Sequence, residues 1–405
     1  MKSKTFPIFL VFLCMGFGDV VGPLVGLAKD TFNLSYTMAQ LVPFVGFIMF
    51  GVLSVPMGIY QDRKGKKFIL ILGLIVALVG LVIPMLNGMY GAIVQFTPGE
   101  YFSFYVLLLS ILLLCAGATI LQVVGNPIMR DVSPEGAYSR NLSLAQSIKA
   151  VGSSLGFLLP PLLALALGLD WSMLFPIFSV LIVLTLFLVR SLQVPEQKDP
   201  NTQSASIRSC LSLLKNGYVF LMVMAIFLYV GAEVSMSSGV PILMKENFKI
   251  ESLGLWVSWA LFFLPILLGR FAGSLILGRI TAKKFFVITV FIALAGMLAI
   301  FTSDPIMTFA GIVLVGLGFA NIFPLVFSIT IDHMPGRSNE LSGLMVTAIA
   351  GGAIVPLIMG KVADTSGSIL VGFAVPLLCL LYIAITSFVS IKKQSVSPVP
   401  AKKEA

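Results

Sequence analysis

A chain of 405 residues that is 58% hydrophobic and only 11% charged carries less than half the charge of a soluble domain, which is about 25% charged. It has too little polar surface to coat a water-soluble globule, so lipid must be the solvent for most of it. The net charge of +9 does not argue for nucleic acid, because the basic residues cluster in short loops between apolar runs, the arrangement that orients helices in a bilayer.

A membrane-crossing helix needs about 20 mostly apolar residues. Runs of that kind occupy 6–28, 38–60, 67–86, 103–130, 142–168, 171–190, 217–243, 252–280, 284–302, 305–331, 341–363 and 368–391. The first is too long for the apolar core of a cleavable signal peptide, and a second spanning run follows it closely. It reads as membrane helix 1. One long polar stretch, 191–215, rich in Ser, Pro and Gln, divides the chain into six helices plus six. The expected domains are therefore an N-terminal bundle 1–190, a cytoplasmic linker 191–215, a C-terminal bundle 216–391 and a cytoplasmic tail 392–405.

Basic residues fall in alternate loops. One set of loops holds Arg63, Lys64, Lys66, Lys67, Arg130, Arg140, Lys283, Lys284 and most of the others, whereas the opposite set holds only Lys29, Lys245, Lys249 and Lys361. An excess of Lys and Arg marks the cytoplasmic side, which places both termini in the cytoplasm. The two halves also echo each other. LAKDTFNLS (27–35) resembles LMKENFKIE (243–251), and RNLSLAQ (140–146) resembles NELSGLM (339–345). The expected fold is an all-α integral membrane protein of twelve helices in two six-helix bundles related by a pseudo-twofold axis. Parallel repeats of this kind build transporters whose site lies near midplane between the halves.

Four ionisable residues lie deep in spanning runs: Asp19 in helix 1, Lys149 in helix 5, Glu233 in helix 7 and Arg270 in helix 8. A charge at the bilayer centre costs at least about 2.5–3.5 kcal/mol and should face a partner or a water-filled cavity. Helices 3, 6, 9 and 12 carry none, as expected of outer, lipid-facing helices. Two pairs are implied, Asp19 with Lys149 and Glu233 with Arg270, either as fixed structural bridges or as members of a transport path. Around Asp19, Gly16, Gly18, Gly22 and Pro23 weaken the helix, and broken helices at midplane free backbone groups for solute or ion. Asp19 is then a coupling group for either a proton or sodium, with Lys149 its partner.

Polar neighbours extend the candidate site. Gln122 and Asn126 share a face of helix 4, Gln146, Lys149 and Ser153 a face of helix 5, and Tyr229, Glu233 and Ser237 a face of helix 7. Asn321 lies in helix 10. The expected solute contacts are Asp19, Gln122, Asn126, Gln146, Lys149, Tyr229, Glu233, Arg270 and Asn321. Amides and carboxylates in such number suit a hydroxyl-rich solute. Trp256 and Trp259, near the outer end of helix 8, read either as a platform for a sugar ring or as interfacial anchors. The single histidine, His333, excludes a multi-His metal site, and the four cysteines form no CxxC pair. They read as packing residues. No metal or other cofactor is expected, and no motif of a membrane enzyme is present.

One motif is specific. Gly58-Ile-Tyr-Gln-Asp62-Arg63-Lys64-Gly65-Lys66-Lys67, between helices 2 and 3, matches the G-x-x-x-D-R-x-G-[RK]-[RK] pattern of the major facilitator superfamily, in which Gly58, Asp62, Arg63 and Gly65 belong to a gating loop. Gly65 allows a tight turn. The second half holds a degenerate echo, Gly278-Arg279 to Lys283-Lys284. Within that superfamily the chain resembles the L-fucose:proton symporter family along nearly all its helices, above all in LQVVGNPI (121–128), NLSLAQSIKAVGSSLG (141–156), LGRFAGSLILGRI (268–280) and IAGGAIVPLIMGKVADTSG (349–367).

That resemblance implies import of a hexose with protons or sodium. The family's helix 1 aspartate corresponds to Asp19. Its helix 4 glutamate corresponds to Gln122, which cannot titrate, and a sugar-lining asparagine of helix 5 corresponds to Lys149. Lys149 then stands in for a bound cation or for part of a proton relay, and beside Arg270 it also admits an acidic sugar. The leading expectation is a monomeric, cation-coupled importer of a monosaccharide or sugar derivative in a bacterial inner membrane, working by alternating access. The alternative is a proton-coupled exporter of amphipathic compounds.

Overall fold

The computed structural model describes residues 6–92, 101–132, 138–191, 211–250, 253–277, 279–334 and 337–392. Twelve helices are long and apolar enough to cross a membrane. They are α1 (Phe6–Phe32), α2 (Tyr36–Gln61), α3 (Lys66–Leu86), α4 (Phe102–Gly125), α5 (Ser147–Leu167), α6 (Trp171–Arg190), α7 (Gly217–Phe248), α8 (Gly254–Gly273), α9 (Ala282–Ile300), α10 (Pro305–Thr330), α11 (Gly343–Ser366) and α12 (Ile369–Ile391). Each closes its backbone hydrogen bonds internally, as the bilayer demands. The end of the molecule at which α1 begins is called proximal below, and the opposite end distal.

Packing repeats pair by pair between the halves. In the first half α1 packs on α4, α5 and α6, and α4 on α2 and α3; in the second α7 packs on α10, α11 and α12, and α10 on α8 and α9. The same helices also repeat their contacts across the boundary. There α1 meets α7, while α2 meets α11 and α5 meets α8. This is the pseudo-twofold, two-bundle arrangement expected from the sequence.

Helices α3, α6, α9 and α12 lie outermost. Ile75 and Val79, Val180 and Phe187, Ile288 and Leu298, and Leu378 and Ile385 are exposed on them. In water such a girdle would drive aggregation, whereas in lipid it costs nothing. Inner and outer helices together bury one continuous core in which Cys14, Cys115 and Cys379 are free and buried.

Small residues bring the inner helices into backbone contact. A Cβ on Gly16 would collide with the carbonyl oxygen of Lys149, and one on Gly152 with that of Leu13. Glycine on both faces is what lets α1 and α5 touch, the usual device of membrane helix packing. That contact sets the register of Asp19 against Lys149. The second half uses the same device, where Gly231 and Gly351 hold α7 against α11.

Candidate functional site

Asp19 lies on a short 3-10 stretch, Gly16–Val20, that interrupts α1 between Phe6–Met15 and Val21–Phe32. The tighter winding follows from the glycines, which lower helix propensity by about 1 kcal/mol each relative to alanine. It turns the carboxylate toward α5. Lys149 Nζ stands 3.1 Å from Asp19 Oδ2 and donates to Gln122 Oε1 of α4, also at 3.1 Å. Ser153, one turn beyond Lys149, places its hydroxyl oxygen 2.9 Å from the same Asp19 oxygen and 3.1 Å from the Lys149 carbonyl. Three helices thus converge on one ammonium.

In the second half Arg270 of α8 brings a guanidinium nitrogen to 3.6 Å from Glu233 Oε1 of α7. Arg270 Nε also donates to the Ala320 carbonyl of α10 at 3.3 Å. One turn along α1 from Asp19, a Cβ on Gly22 would meet Ser237, which lies one turn along α7 from Glu233. The two pairs therefore form one constellation across the boundary between the bundles. Each keeps part of its surface open: the Lys149 and Asp19 side chains are 16% and 30% exposed, and those of Arg270 and Glu233 46% and 25%.

Tyr229 and Asn321, which the sequence reading placed toward the solute, stand behind this layer. Tyr229 is buried beside Glu233 and Arg270, and its hydroxyl donates to the Phe319 carbonyl at 3.0 Å. The buried Asn321 amide donates to the Gly269 carbonyl at 2.8 Å. Tyr229 ties α7 to α10 and Asn321 ties α10 to α8, which positions the neighbouring Glu233 and Arg270. The side chains of Asn126, Gln146, Asp62 and Arg63 lie outside the described residues. Gly58 falls within α2, and Gly65 turns the chain into α3 with φ 88°, a conformation that favours glycine.

The distal end is closed by contacts between the bundles. Lys29 pairs with Glu246 at 3.1 Å, and Lys245 with Asp30 at 2.7 Å. The Tyr36 hydroxyl donates to Glu246 at 2.5 Å, and the Lys29 ammonium sits 4.5 Å above the Tyr36 ring. Asp364 at the end of α11 accepts from the backbone N–H groups of Tyr36 and Thr37 at 2.7 and 2.8 Å, so a carboxylate of one bundle caps a helix of the other. Deeper in, the Gln40 amide donates to Ser238 Oγ at 3.2 Å.

On the other flank Trp256 and Trp259 donate their indole N–H groups to Leu158 O and Ser154 Oγ of α5, at 2.9 and 3.1 Å. Both cross-link α8 to α5. A cavity of about 460 Å³ opens beside Lys29 and Glu246. None of Asp19, Lys149, Glu233 or Arg270 lines it, so it is separate from the charge constellation.

The sequence reading did not assign Lys29, Asp30, Tyr36, Gln40, Lys245, Glu246 or Asp364 to any site. The duplicated segment carried the signal, since KD in one repeat and KE in the other are complementary when a twofold axis sets them face to face. Among the described residues no cluster of three or more His, Cys, Asp or Glu stands ready for a metal ion.

Two bundles enclosing paired charges, with polar bonds across one end and lipid-facing helices outside, define a membrane transporter of the two-repeat class. The chain belongs to the Major Facilitator Superfamily, whose pattern it matches over residues 8–356. It is 29% identical over 403 residues to a protein of Brucella abortus biovar 1 (strain 9-941) described as a glucose/galactose transporter, covering 95% of this chain and 93% of that one. It is 21% identical to the L-fucose-proton symporter of Haemophilus influenzae (strain ATCC 51907 / DSM 11121 / KW20 / Rd), covering 96% and 97%. The solved structure of a D-xylose-proton symporter superposes with a TM-score of 0.75 at 15% identity, covering 94% of this chain and 96% of that one.

Proposed function

We propose that this protein imports a monosaccharide or sugar derivative by cation-coupled symport through alternating access. The observation that carries the reading is the joining of Asp19–Lys149–Gln122 from one bundle and Glu233–Arg270 from the other into one partly open constellation. Buried charge that is both paired and accessible in a membrane marks a transport path rather than a packing device. The sugar class rests on the relatives described as glucose/galactose transporters and as an L-fucose-proton symporter.

In this reading the proximal end faces the cytoplasm of a bacterial cell, beneath its inner membrane, and both termini lie there. In this reading the bonded distal end closes the outer side, and the solute reaches the constellation from the cytoplasmic side. Gln122, Glu233 and Arg270 offer acceptor and donor groups to sugar hydroxyls. Asp19 is the coupling acid and Lys149 holds it. The protein works as a monomer without a bound cofactor, the exchanged ion being its co-substrate.

The test is Asp19→Asn in proteoliposomes. Uphill accumulation of sugar driven by an ion gradient should be lost, with sugar exchange at equal concentrations partly retained. Unchanged uphill uptake would remove Asp19 from coupling.

A further inference from the structure

The Lys149 ammonium fills a place built of hard oxygen atoms. Asp19 Oδ2 and Gln122 Oε1 lie at 3.1 Å from it on two other helices. Ser153 Oγ lies 2.9 Å from that carboxylate oxygen. A carboxylate, an amide oxygen and a hydroxyl are hard donors that suit an alkali cation, and the carboxylate stands on the 3-10 stretch that interrupts α1.

Only one of these donors carries a formal charge, so the cage balances a single positive charge. The side chain that supplies that charge comes from the same helix as Ser153, one turn away. Deleting it removes none of these three oxygens. The α1–α5 contact through Gly16 and Gly152 holds Asp19 at the same distance from α5 whatever residue stands at 149.

We propose that Lys149 is a tethered substitute for an alkali cation, and that Asp19, Gln122 and Ser153 form a sodium site which the ammonium keeps closed. This deepens the transport reading above and rests on it only for the word coupling. With sodium's place taken, a proton is the ion left to couple. The wild-type chain is indifferent to sodium, and removing the ammonium opens the site.

The experiment is a thermal melt of the purified full-length protein in detergent, without sugar, in chloride salts of sodium, lithium, potassium or choline at one ionic strength. Wild type should melt alike in all four. Lys149→Ala should melt lower than wild type in choline and recover by a saturable shift of several degrees as sodium replaces choline. Asp19→Asn/Lys149→Ala should lose that sodium shift. A second variant, Lys149→Ser, keeps a small side chain with one further oxygen and should respond like Lys149→Ala.

Recovery of folding by sodium alone would support the assignment. A folded Lys149→Ala that melts alike in sodium and choline would overturn it, as would a sodium shift that survives in the double variant or aggregation of both single variants in every salt. The melt needs no solute. Failure of sugar uptake by wild type would leave this result intact, and failure of the sodium shift would leave sugar transport standing.

Discussion

Lys29 and Glu246 stand 3.1 Å apart although 217 positions separate them in the chain. They belong to a repeated segment in which Lys29 matches Lys245 and Asp30 matches Glu246. The twofold relation crosses them, so that each lysine meets the other repeat's acid. Both segments then end α1 and α7 in the same way, with Asn33 and Lys249 in the left-handed conformation at φ 51° and 59°. One duplicated sequence has become both sides of a clasp.

The clasp should set how much of the population is closed at the distal end. Part-exposed ion pairs contribute about 0.2–1 kcal/mol each, and Glu246 adds a charge-assisted bond from Tyr36. Glu246→Gln should therefore shift the equilibrium toward distal opening by about 1–2 kcal/mol, roughly a factor of 5–30 in population. Maleimide labelling of a cysteine placed at Ser238, fully buried beneath the clasp beside Gln40, reads the shift. The double swap Lys29→Glu/Glu246→Lys should restore much of the closed population. Equal labelling in all three proteins would show that the pairs do not close this end.

The tryptophans close the other flank by a different bond. Trp259→Phe keeps the ring and removes the N–H that reaches Ser154, a loss of about 0.5–1.5 kcal/mol for a neutral hydrogen bond. Spin labels on α5 and α8 near the distal end should show a wider distance distribution in Trp259→Phe. Ser154→Ala should give the same broadening, and the double variant should add little to either, because both remove one bond. Additive effects would mean that the indole bonds elsewhere.

Architecture was legible in the sequence because lipid imposes it. Apolar length gives the spans, basic loops their alternation, and a shared KDTFN/KENFK pattern the repeat. The charge pairs were legible for a related reason: four costly charges at membrane depth must find partners, and each half of the chain holds one acid and one base. The backbone partners of Tyr229 and Asn321 were not legible, because a helical face tells which residues align along one helix but not which neighbour covers them. Phe319 and Gly269 do so here. The distal clasp escaped because loop charges look solvated until a twofold axis brings the other repeat against them.

Close packing at the α1–α5 contact gives a stability prediction. A methyl on Gly152 meets the Leu13 carbonyl, which is rigid helix backbone and cannot step aside. Overpacking of this kind costs about 1–3 kcal/mol. Gly152→Ala should lower the melting temperature and loosen the Asp19–Lys149 pair, reducing sugar exchange more than expression. Gly58→Ala is the control, since a methyl there would find only Val123 at 4.0 Å, an ordinary contact. It should melt like wild type.

Arg270 performs two tasks with one planar group, meeting Glu233 through a terminal nitrogen and the Ala320 carbonyl through Nε. A lysine carries the same charge on a single point and cannot do both. Removing one partner of a fully buried pair costs about 3–5 kcal/mol, but Arg270 is 46% exposed and water screens the loss. Arg270→Gln and Glu233→Gln should each destabilise by about 1–2 kcal/mol on that discounted scale, measured by thermal melts. The double variant Glu233→Gln/Arg270→Gln should sit nearer to wild type than either, since no charge is left alone. Arg270→Lys should melt within a few degrees of wild type yet bind sugar several-fold more weakly, because the orientation of the site is lost while its charge is kept. If Arg270→Lys binds sugar like wild type, the guanidinium serves only as a counter-charge to Glu233, and the second bundle contributes packing rather than recognition.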